Sequence, residues 1–241
     1  MSQPHVATRP VIGITVDTDD TTGRYLLHPG YATSVEKAGG LPLLLAYRTD
    51  VSLIPQFVDL LDGVLFSGGN DLDPALYGET YHPKAAPIDP DRQQFELALL
   101  AEVEKRRTPA LGICLGSQLM NVYRGGSLIQ FLPDIERPKS IEHRKLGTAM
   151  PRHEVSVDPQ SAVAQAVGKS LLDVNSSHKQ SVKKVGRGLR IIGTSPDGII
   201  EGIEDPSFPL FLGVQWHPER LHEEKDHLAL FKLLVDKASR H

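Results

Sequence analysis

The one cysteine of the chain lies in a pattern that suits a nucleophile. Cys114 has Gly112 and Gly116 two residues away on either side, follows the apolar residues 109–113 and precedes a helical pattern. This is the arrangement of a nucleophile elbow, in which a sharp strand-to-helix turn lifts the side chain clear of a sheet. The positive end of the following helix favours a thiolate, the form that attacks carbonyl carbon. A free cysteine can also pack as a small apolar side chain, so this pattern alone leaves both interpretations open.

A histidine and a glutamate near the C-terminus supply a candidate base and the carboxylate that would orient it. The strand-like residues 210–215, apolar up to Val214, lead into Trp216, His217, Pro218 and Glu219. Pro218 ends the strand, and Glu219 is close enough to bind one imidazole nitrogen while the other faces a thiol. His217 follows Cys114 by 103 positions (217 − 114), so the two can meet only through the tertiary fold. Taken alone, this histidine fits a structural role equally well.

The predicted elements around these residues alternate between strand and helix in the first half of the chain. This alternation predicts βαβ crossovers and a parallel sheet. Strands are predicted at residues 11–16, 43–46, 63–66 and 109–113, and helices at 31–38, 51–61, 91–107 and 116–123. The second half has strand-like segments at 153–157, 189–194, 199–203 and 210–215 before a helix at 228–238. We therefore predict one α/β domain over residues 1–241, with a mostly parallel central sheet and an antiparallel-rich C-terminal extension.

Composition narrows the classes of function. The 241 residues are 40% hydrophobic and 23% charged, as in an ordinary globular protein, and the net charge of −4 with no basic stripe argues against nucleic acid. A single cysteine excludes a disulfide within the chain and a zinc site built on cysteines. No apolar run approaches the roughly 18 to 20 residues of a membrane span, and residues 1–10 lack the apolar core of a secretory signal. We therefore expect a cytoplasmic protein that does not bind a membrane.

The two motifs together resemble those of the class I glutamine amidotransferase superfamily: GICLGSQ around Cys114 and GVQWHPE ending at Glu219. Residues 63–79, 91–96, 121–126 and 175–178 are similar to its peptidase C26 branch. That branch includes γ-glutamyl-γ-aminobutyrate hydrolases, which serve polyamine (putrescine) catabolism, and γ-glutamyl hydrolases. The resemblance covers nearly the whole chain and implies a flavodoxin-like three-layer sandwich. It also implies a free-standing hydrolase of γ-glutamyl amides that needs no metal or organic cofactor.

The resemblance implies roles for individual residues. Cys114, His217 and Glu219 would form the catalytic triad. The backbone N–H groups of Gly69 and Leu115 would form an oxyanion hole, which stabilises the charge of a tetrahedral intermediate. The substrate-binding residues would be Gln118, Gly68, Asn175 and His178. For the glycine turn, and for Asn175 and His178, a purely structural role stays open.

Two departures from the branch bear on the substrate. Leu115 stands where many of these hydrolases have an arginine, and Lys179 stands where a second histidine is frequent. Both concern the pocket, so they leave the leaving amine of the small-molecule substrate undetermined. Two alternatives therefore stay open: a glutaminase subunit that delivers ammonia to a synthase partner, and a catalytically silent protein that binds a γ-glutamyl ligand. By family analogy, the chain is compatible with a homodimer.

Overall fold

A mixed sheet of eleven strands runs through the described part of the protein, which is residues 8–19, 21–137 and 139–239 of a computed structural model. The sheet is flanked by helices on both faces, and a separate ribbon of two strands lies outside it. In chain order the strands are β1 (Val11–Thr15), β2 (Asp17–Thr18), β3 (Tyr25–Leu26), β4 (Leu41–Leu45), β5 (Gly63–Phe66), β6 (Ala110–Ile113), β7 (Ser127–Ile129), β8 (Arg152–Val157), β9 (Leu171–Asn175), β10 (Ser181–Lys184), β11 (Arg190–Thr194), β12 (Ile200–Glu204) and β13 (Phe211–Val214). The helices are α1 (Gly30–Lys37), α2 (Ile54–Asp59), α3 (Pro90–Arg106), α4 (Leu115–Tyr123), α5 (Ala162–Val167) and α6 (Lys225–Ala238).

The order of the strands divides the sheet into a parallel and an antiparallel part. Strands β4, β1, β5, β6 and β13 are neighbours in that order and pair in parallel. The sheet then continues antiparallel through β12, β11, β8 and β9, while β10 pairs with β12 and β7. Ribbon β2–β3 is also antiparallel. This arrangement confirms the predicted α/β class with its antiparallel C-terminal extension.

Two apolar cores cover the two faces of the sheet and make the fold three layers deep. Successive side chains of a strand point to opposite faces, and β5 shows the consequence. Leu65 packs in the core with residues of α1, α5 and α6, whereas Val64 and Phe66 pack in the core with residues of α2, α3 and α4. Since β5 is buried on both faces, its sequence is a continuous apolar run instead of an alternating one.

The predictions differ from the structure mainly in short elements. The predicted helix at 51–61 is a 3₁₀ turn (Val51–Leu53) followed by α2, with Pro55 near the helix start, where proline is tolerated. Helix α5, which has 6 residues and is capped by the Ser161 side chain, was not predicted from the sequence. A helix this short shows too little periodicity to be recognised. Strands β7, β9 and β10 were also missed, because polar or charged residues interrupt them, whereas β5 and β6 are short but continuous apolar runs.

None of the helices in the described residues has the length and apolar character that crossing a membrane requires. The prediction that residues 1–10 are not a secretory signal falls mostly on residues 1–7, which lie outside the described residues.

Candidate active site

Cys114 lies in a sharp turn between β6 and α4. Its backbone has φ 52° and ψ −105°, a conformation that residues other than glycine rarely adopt. A Cβ on Gly112 would lie 2.6 Å from the carbonyl carbon of Gly116, and one on Gly116 would lie 2.3 Å from the Phe66 oxygen. Both glycines are therefore required by close backbone approach. This is the turn that the sequence predicted.

The ends of three parallel strands bring the candidate site together. In the register of the sheet, Ile113 at the end of β6 pairs with Val214 at the end of β13, and Gly112 pairs with Phe66 at the end of β5. The Cys114 N–H continues this pairing and donates to the Val214 carbonyl at 2.8 Å. The residues that follow β5, β6 and β13 therefore all leave the sheet at the carboxyl ends of its parallel strands, where open α/β sheets bind ligands.

His217 lies between a carboxylate and the cysteine. Its Nδ1 is 2.9 Å from Glu219 Oε1, and Glu219 is fully buried. The ring also lies near Cys114: a Cβ added to Gly68 would lie 3.3 Å from His217 Cε1 and 3.7 Å from Cys114 Cβ. Burial lowers the pKa of His217, but the negative charges of Glu219 and of an ionised Cys114 outweigh it and hold that pKa well above the usual value. The structure thus brings together the three residues of the predicted triad.

A cavity of about 320 Å³ opens beside Cys114. Of the other residues predicted to contact substrate or oxyanion, Gly69, Gln118 and His178 line this cavity. Asn175 is absent from the lining, because both ends of its amide bind the main chain of His217 at 2.9 Å. The structure therefore places Asn175 as a support of His217 and not beside a substrate.

Gln118 is connected to the nucleophile through Gln215, a residue for which the sequence predicted no role. The Gln118 amide donates to the Gln215 side-chain oxygen at 3.0 Å and to the Gln180 carbonyl at 3.3 Å. The Gln215 amide in turn donates to Cys114 Sγ at 3.4 Å. Gln215 lies inside the GVQWHPE motif, but as the residue after a buried strand it gave no sign of facing the cysteine.

The turn after β5 carries the predicted oxyanion donor Gly69. The N–H of neighbouring Gly68 donates to the Tyr31 hydroxyl at 2.9 Å, and its carbonyl accepts from Arg92 at 3.0 Å. The Gly69 N–H donates to no backbone carbonyl of the described residues. Leu115 is the first residue of α4, so its N–H has no acceptor within the helix. Neither the Gly69 N–H nor the Leu115 N–H is therefore used in a turn or helix hydrogen bond to the main chain within the described part of the protein.

Arg92 supports this turn from behind, a role that was not predicted from the sequence. Its side chain is fully buried, lies 2.8 Å from Glu96 and 2.9 Å from Asp17, and donates to Ser67 Oγ at 3.1 Å. A Cβ on Gly69 would lie 2.3 Å from Arg92 Nη1. The guanidinium thus packs directly against the glycine turn and holds it through hydrogen bonds.

Three cations line the cavity, Arg144, Lys145 and Lys179, together with one carboxylate, Asp71. Lys179 Nζ is 2.8 Å from Asp71 Oδ2, and Arg144 pairs with Glu142 at 2.7 Å. No ion pair of Lys145 is formed within the described residues. Because Lys179 and Arg144 are paired with carboxylates, Lys145 contributes the unpaired positive charge among the described lining residues, which favours an anionic group on a ligand.

One group of side chains among the described residues has the composition of a metal site. It consists of His143, His153, His178 and Glu201, whose donor atoms lie within 4.8 Å of one another. None of the three triad residues belongs to it, although His178 also lines the cavity.

Comparison with known proteins shows which family the chain resembles. The model of the family described as Peptidase C26 matches residues 10–219. "Putative glutamine amidotransferase Rv2859c" of Mycobacterium tuberculosis is 38% identical over 240 residues, which cover 97% of this chain and 76% of that protein. "Gamma-glutamyl-gamma-aminobutyrate hydrolase PuuD" of Escherichia coli is 34% identical over 226 residues, or 89% of this chain and 87% of that one.

A solved structure supports the fold. The crystal structure of a "putative gmp synthase subunit a protein" from Thermoplasma acidophilum superposes with a TM-score of 0.65. The alignment covers 95% of this chain and 94% of that chain at 16% sequence identity, so it bears on the fold alone.

Proposed function

Because this chain belongs to the Peptidase C26 family, we propose that it hydrolyses γ-glutamyl amides through a γ-glutamyl thioester on Cys114. The observation that carries the proposal is the strained elbow of Cys114 beside a cavity, close to a His217 that is paired with buried Glu219. The name of the Escherichia coli relative supports the γ-glutamyl class of substrate.

The proposed reaction has two steps. The Cys114 thiolate attacks the γ-carbonyl carbon, and the N–H groups of Gly69 and Leu115 stabilise the oxyanion. His217 gives its proton to the leaving nitrogen, the C–N bond breaks, and a thioester remains on the cysteine. A water molecule then gives a proton to His217 and attacks the thioester, which releases glutamate and restores the thiolate. Glu219 keeps the imidazole oriented throughout.

The positively charged residues that line the cavity support an acidic substrate. A γ-glutamyl amide carries an α-carboxylate, and a leaving amine such as γ-aminobutyrate carries a second one. Arg144, Lys145 and Lys179 line the cavity that such groups would occupy. We propose Gln118 as the contact to the γ-glutamyl part, because it lines the cavity and is connected to Cys114 through Gln215. If γ-aminobutyrate is the leaving amine, the enzyme would serve polyamine catabolism.

The test is a release assay on a panel of γ-glutamyl amides that includes γ-glutamyl-γ-aminobutyrate and free glutamine. We expect the isolated chain to cleave at least one of them, and Cys114→Ala to lower kcat/KM by roughly 1,000-fold or more. Mass spectrometry of a rapidly quenched reaction should find a γ-glutamyl adduct on Cys114. Full activity in Cys114→Ala would refute the assignment of the nucleophile.

A second candidate is a glutamine amidotransferase that passes ammonia to a partner. The name of the Mycobacterium tuberculosis relative and Leu115 after the nucleophile favour it. Glutamine hydrolysis that depends on a co-purified synthase, with no cleavage of other γ-glutamyl amides, would support this function over the first. Binding of a γ-glutamyl ligand without any thioester would instead indicate a catalytically silent protein.

A further inference from the structure

Three histidines and one glutamate form a closed cluster behind the wall of the cavity. His143, His153, His178 and Glu201 are each at most 8% exposed. They come from four separate parts of the chain: the loop before β8, β8 itself, the segment after β9, and β12. The fold therefore assembles this cluster from distant residues, and nothing in the proposed reaction at Cys114 uses it.

The distances from Glu201 to the three rings fit a shared ion better than hydrogen bonds. Glu201 Oε1 is 3.4 Å from His143 Nδ1, 3.6 Å from His153 Nε2 and 3.5 Å from His178 Nε2. A hydrogen bond between such charged groups is typically about 2.7–2.9 Å long. Two ligands of a tetrahedral zinc ion, with bonds of about 2.0–2.1 Å, lie about 3.3 Å apart.

The outer nitrogens of the three rings are held by oxygen atoms. His178 Nδ1 is 2.8 Å from the Gln180 carbonyl, and His153 Nδ1 is 3.1 Å from the carbonyl of the following residue. His143 Nε2 is 3.2 Å from an Asp197 carboxylate oxygen. Carbonyls and carboxylates only accept, so each outer nitrogen carries a hydrogen, and in a neutral ring this leaves the inner nitrogen with a lone pair. Each inner nitrogen then presents a lone pair to Glu201, as in metal sites where a second oxygen orients each histidine.

The three inner nitrogens and Glu201 Oε1 are therefore four acceptors that face one another with no donor among them. Nε2 of His153 and of His178, and both carboxylate oxygens of Glu201, have no hydrogen-bond partner within the described residues. The nearest hydroxyl, Ser176 Oγ, is 3.4 Å from His143 Nδ1 but donates to the His143 carbonyl at 2.9 Å. Buried acceptors without partners are costly, so this arrangement requires a cation in some form.

Protons alone would satisfy the cluster poorly. To supply each inner nitrogen with a hydrogen, the rings would have to become imidazolium cations. The His143 ring centroid lies 4.8 Å from that of His153 and 4.9 Å from that of His178, so these charges would repel one another. A single divalent ion would instead receive a lone pair from all four side chains at once.

We propose that His143, His153, His178 and Glu201 bind one divalent transition-metal ion, with Zn²⁺ as the expected metal. Four protein ligands with no open position are typical of a structural site. His143 directly precedes the cavity-lining residues 144–146, and His178 is itself one of the lining residues 177–180. The ion would therefore hold two walls of the substrate cavity against strands β8 and β12.

No metal was expected from the sequence, and the ligands explain why. They span 58 positions (201 − 143) with no spacing that marks a known motif, and no cysteine takes part. The proposed site is independent of the proposed reaction, so either proposal can fail without the other.

The test uses Cys114→Ala protein without an affinity tag, so that neither the thiol nor added histidines bind metal. After removal of metal with a chelator, the protein is titrated with Co²⁺, monitored by visible absorption, and with Zn²⁺ in competition. We expect one equivalent to bind, with the intense visible bands of four-coordinate Co²⁺. Glu201→Gln and His153→Gln, made in the same background, should each weaken binding by roughly 100-fold or more.

The matched control is His227→Gln, which changes a histidine that is equally buried (2% exposed) but outside the cluster. It should bind Co²⁺ as the background protein does. Zn²⁺ should also raise the thermal midpoint of the background protein and of the control, since a ligand that binds only the folded state stabilises it. Absence of binding at millimolar Co²⁺ and Zn²⁺ in the background protein would overturn the proposal. Metal binding that Glu201→Gln leaves unchanged would also overturn the proposal. If a variant does not fold, the titration of the background protein still tests whether the site binds metal.

Discussion

Asn175 holds the main chain of His217 through both ends of its side-chain amide. The amide nitrogen donates to the His217 carbonyl, and the amide oxygen accepts from the His217 N–H, each at 2.9 Å. Asn175 is buried and ends β9 in the antiparallel part of the sheet, whereas His217 follows β13 in the parallel part. The antiparallel extension therefore positions the candidate base, although it supplies none of the three triad residues.

Asn175→Ala should lower kcat by roughly 10- to 100-fold, because small displacements of a catalytic group are costly in rate. We expect KM to stay within about twofold, since the side chain does not line the cavity. Steady-state kinetics on the substrate found in the release assay would measure both. A large rise in KM with unchanged kcat would instead support the substrate contact predicted from the sequence.

Glu219→Gln should move the alkaline limb of the kcat/KM profile to lower pH. The Glu219 charge helps to hold the pKa of His217 above its usual value. Removing the charge lowers that pKa, so the protonated imidazole that the leaving amine needs is lost at lower pH. Profiles of kcat/KM against pH for the wild type and the variant would show the shift, and exposed Glu223→Gln serves as control. An alkaline limb that does not move would contradict the role of Glu219.

Gly69→Ala should lower kcat by roughly 100- to 1,000-fold, the effect of losing one oxyanion donor. The added methyl group would lie 2.3 Å from Arg92 Nη1 and 2.9 Å from a Leu115 methyl carbon, so the turn must shift. Gly147→Ala is the matched control, because a methyl group added there would meet no atom within 4 Å. Equal activity in the two variants would argue against an oxyanion role for this turn.

Arg92→Met should destabilise the fold by about 3–5 kcal/mol, because it leaves Glu96 buried without its partner. Urea unfolding of the two proteins would give the difference in free energy. Arg144→Met, which breaks an ion pair with exposed Glu142, should change stability by at most about 1 kcal/mol. Similar losses in both variants would mean that the buried network contributes no more than a surface pair.

The sequence by itself determined the features that depend on neighbouring residues. Gly112, Cys114 and Gly116 predict the elbow because only glycine permits the close backbone approach of that turn. The apolar runs of β1, β5 and β6 predict buried parallel strands within a residue or two of their observed bounds. The motifs around Cys114 and His217 also indicated the family, which the match to residues 10–219 confirms.

Only the tertiary structure decided which distant side chains meet. Whether Asn175 contacts a substrate or the His217 main chain depends on the path of β9, a short strand without a clear pattern. Arg92 and Gln215 owe their contacts to residues at least 23 positions away, apart from the pair of Arg92 with Glu96, and the histidine cluster joins four segments. Periodicity and turn propensity report the local backbone, whereas these contacts follow from the register and order of strands across the sheet.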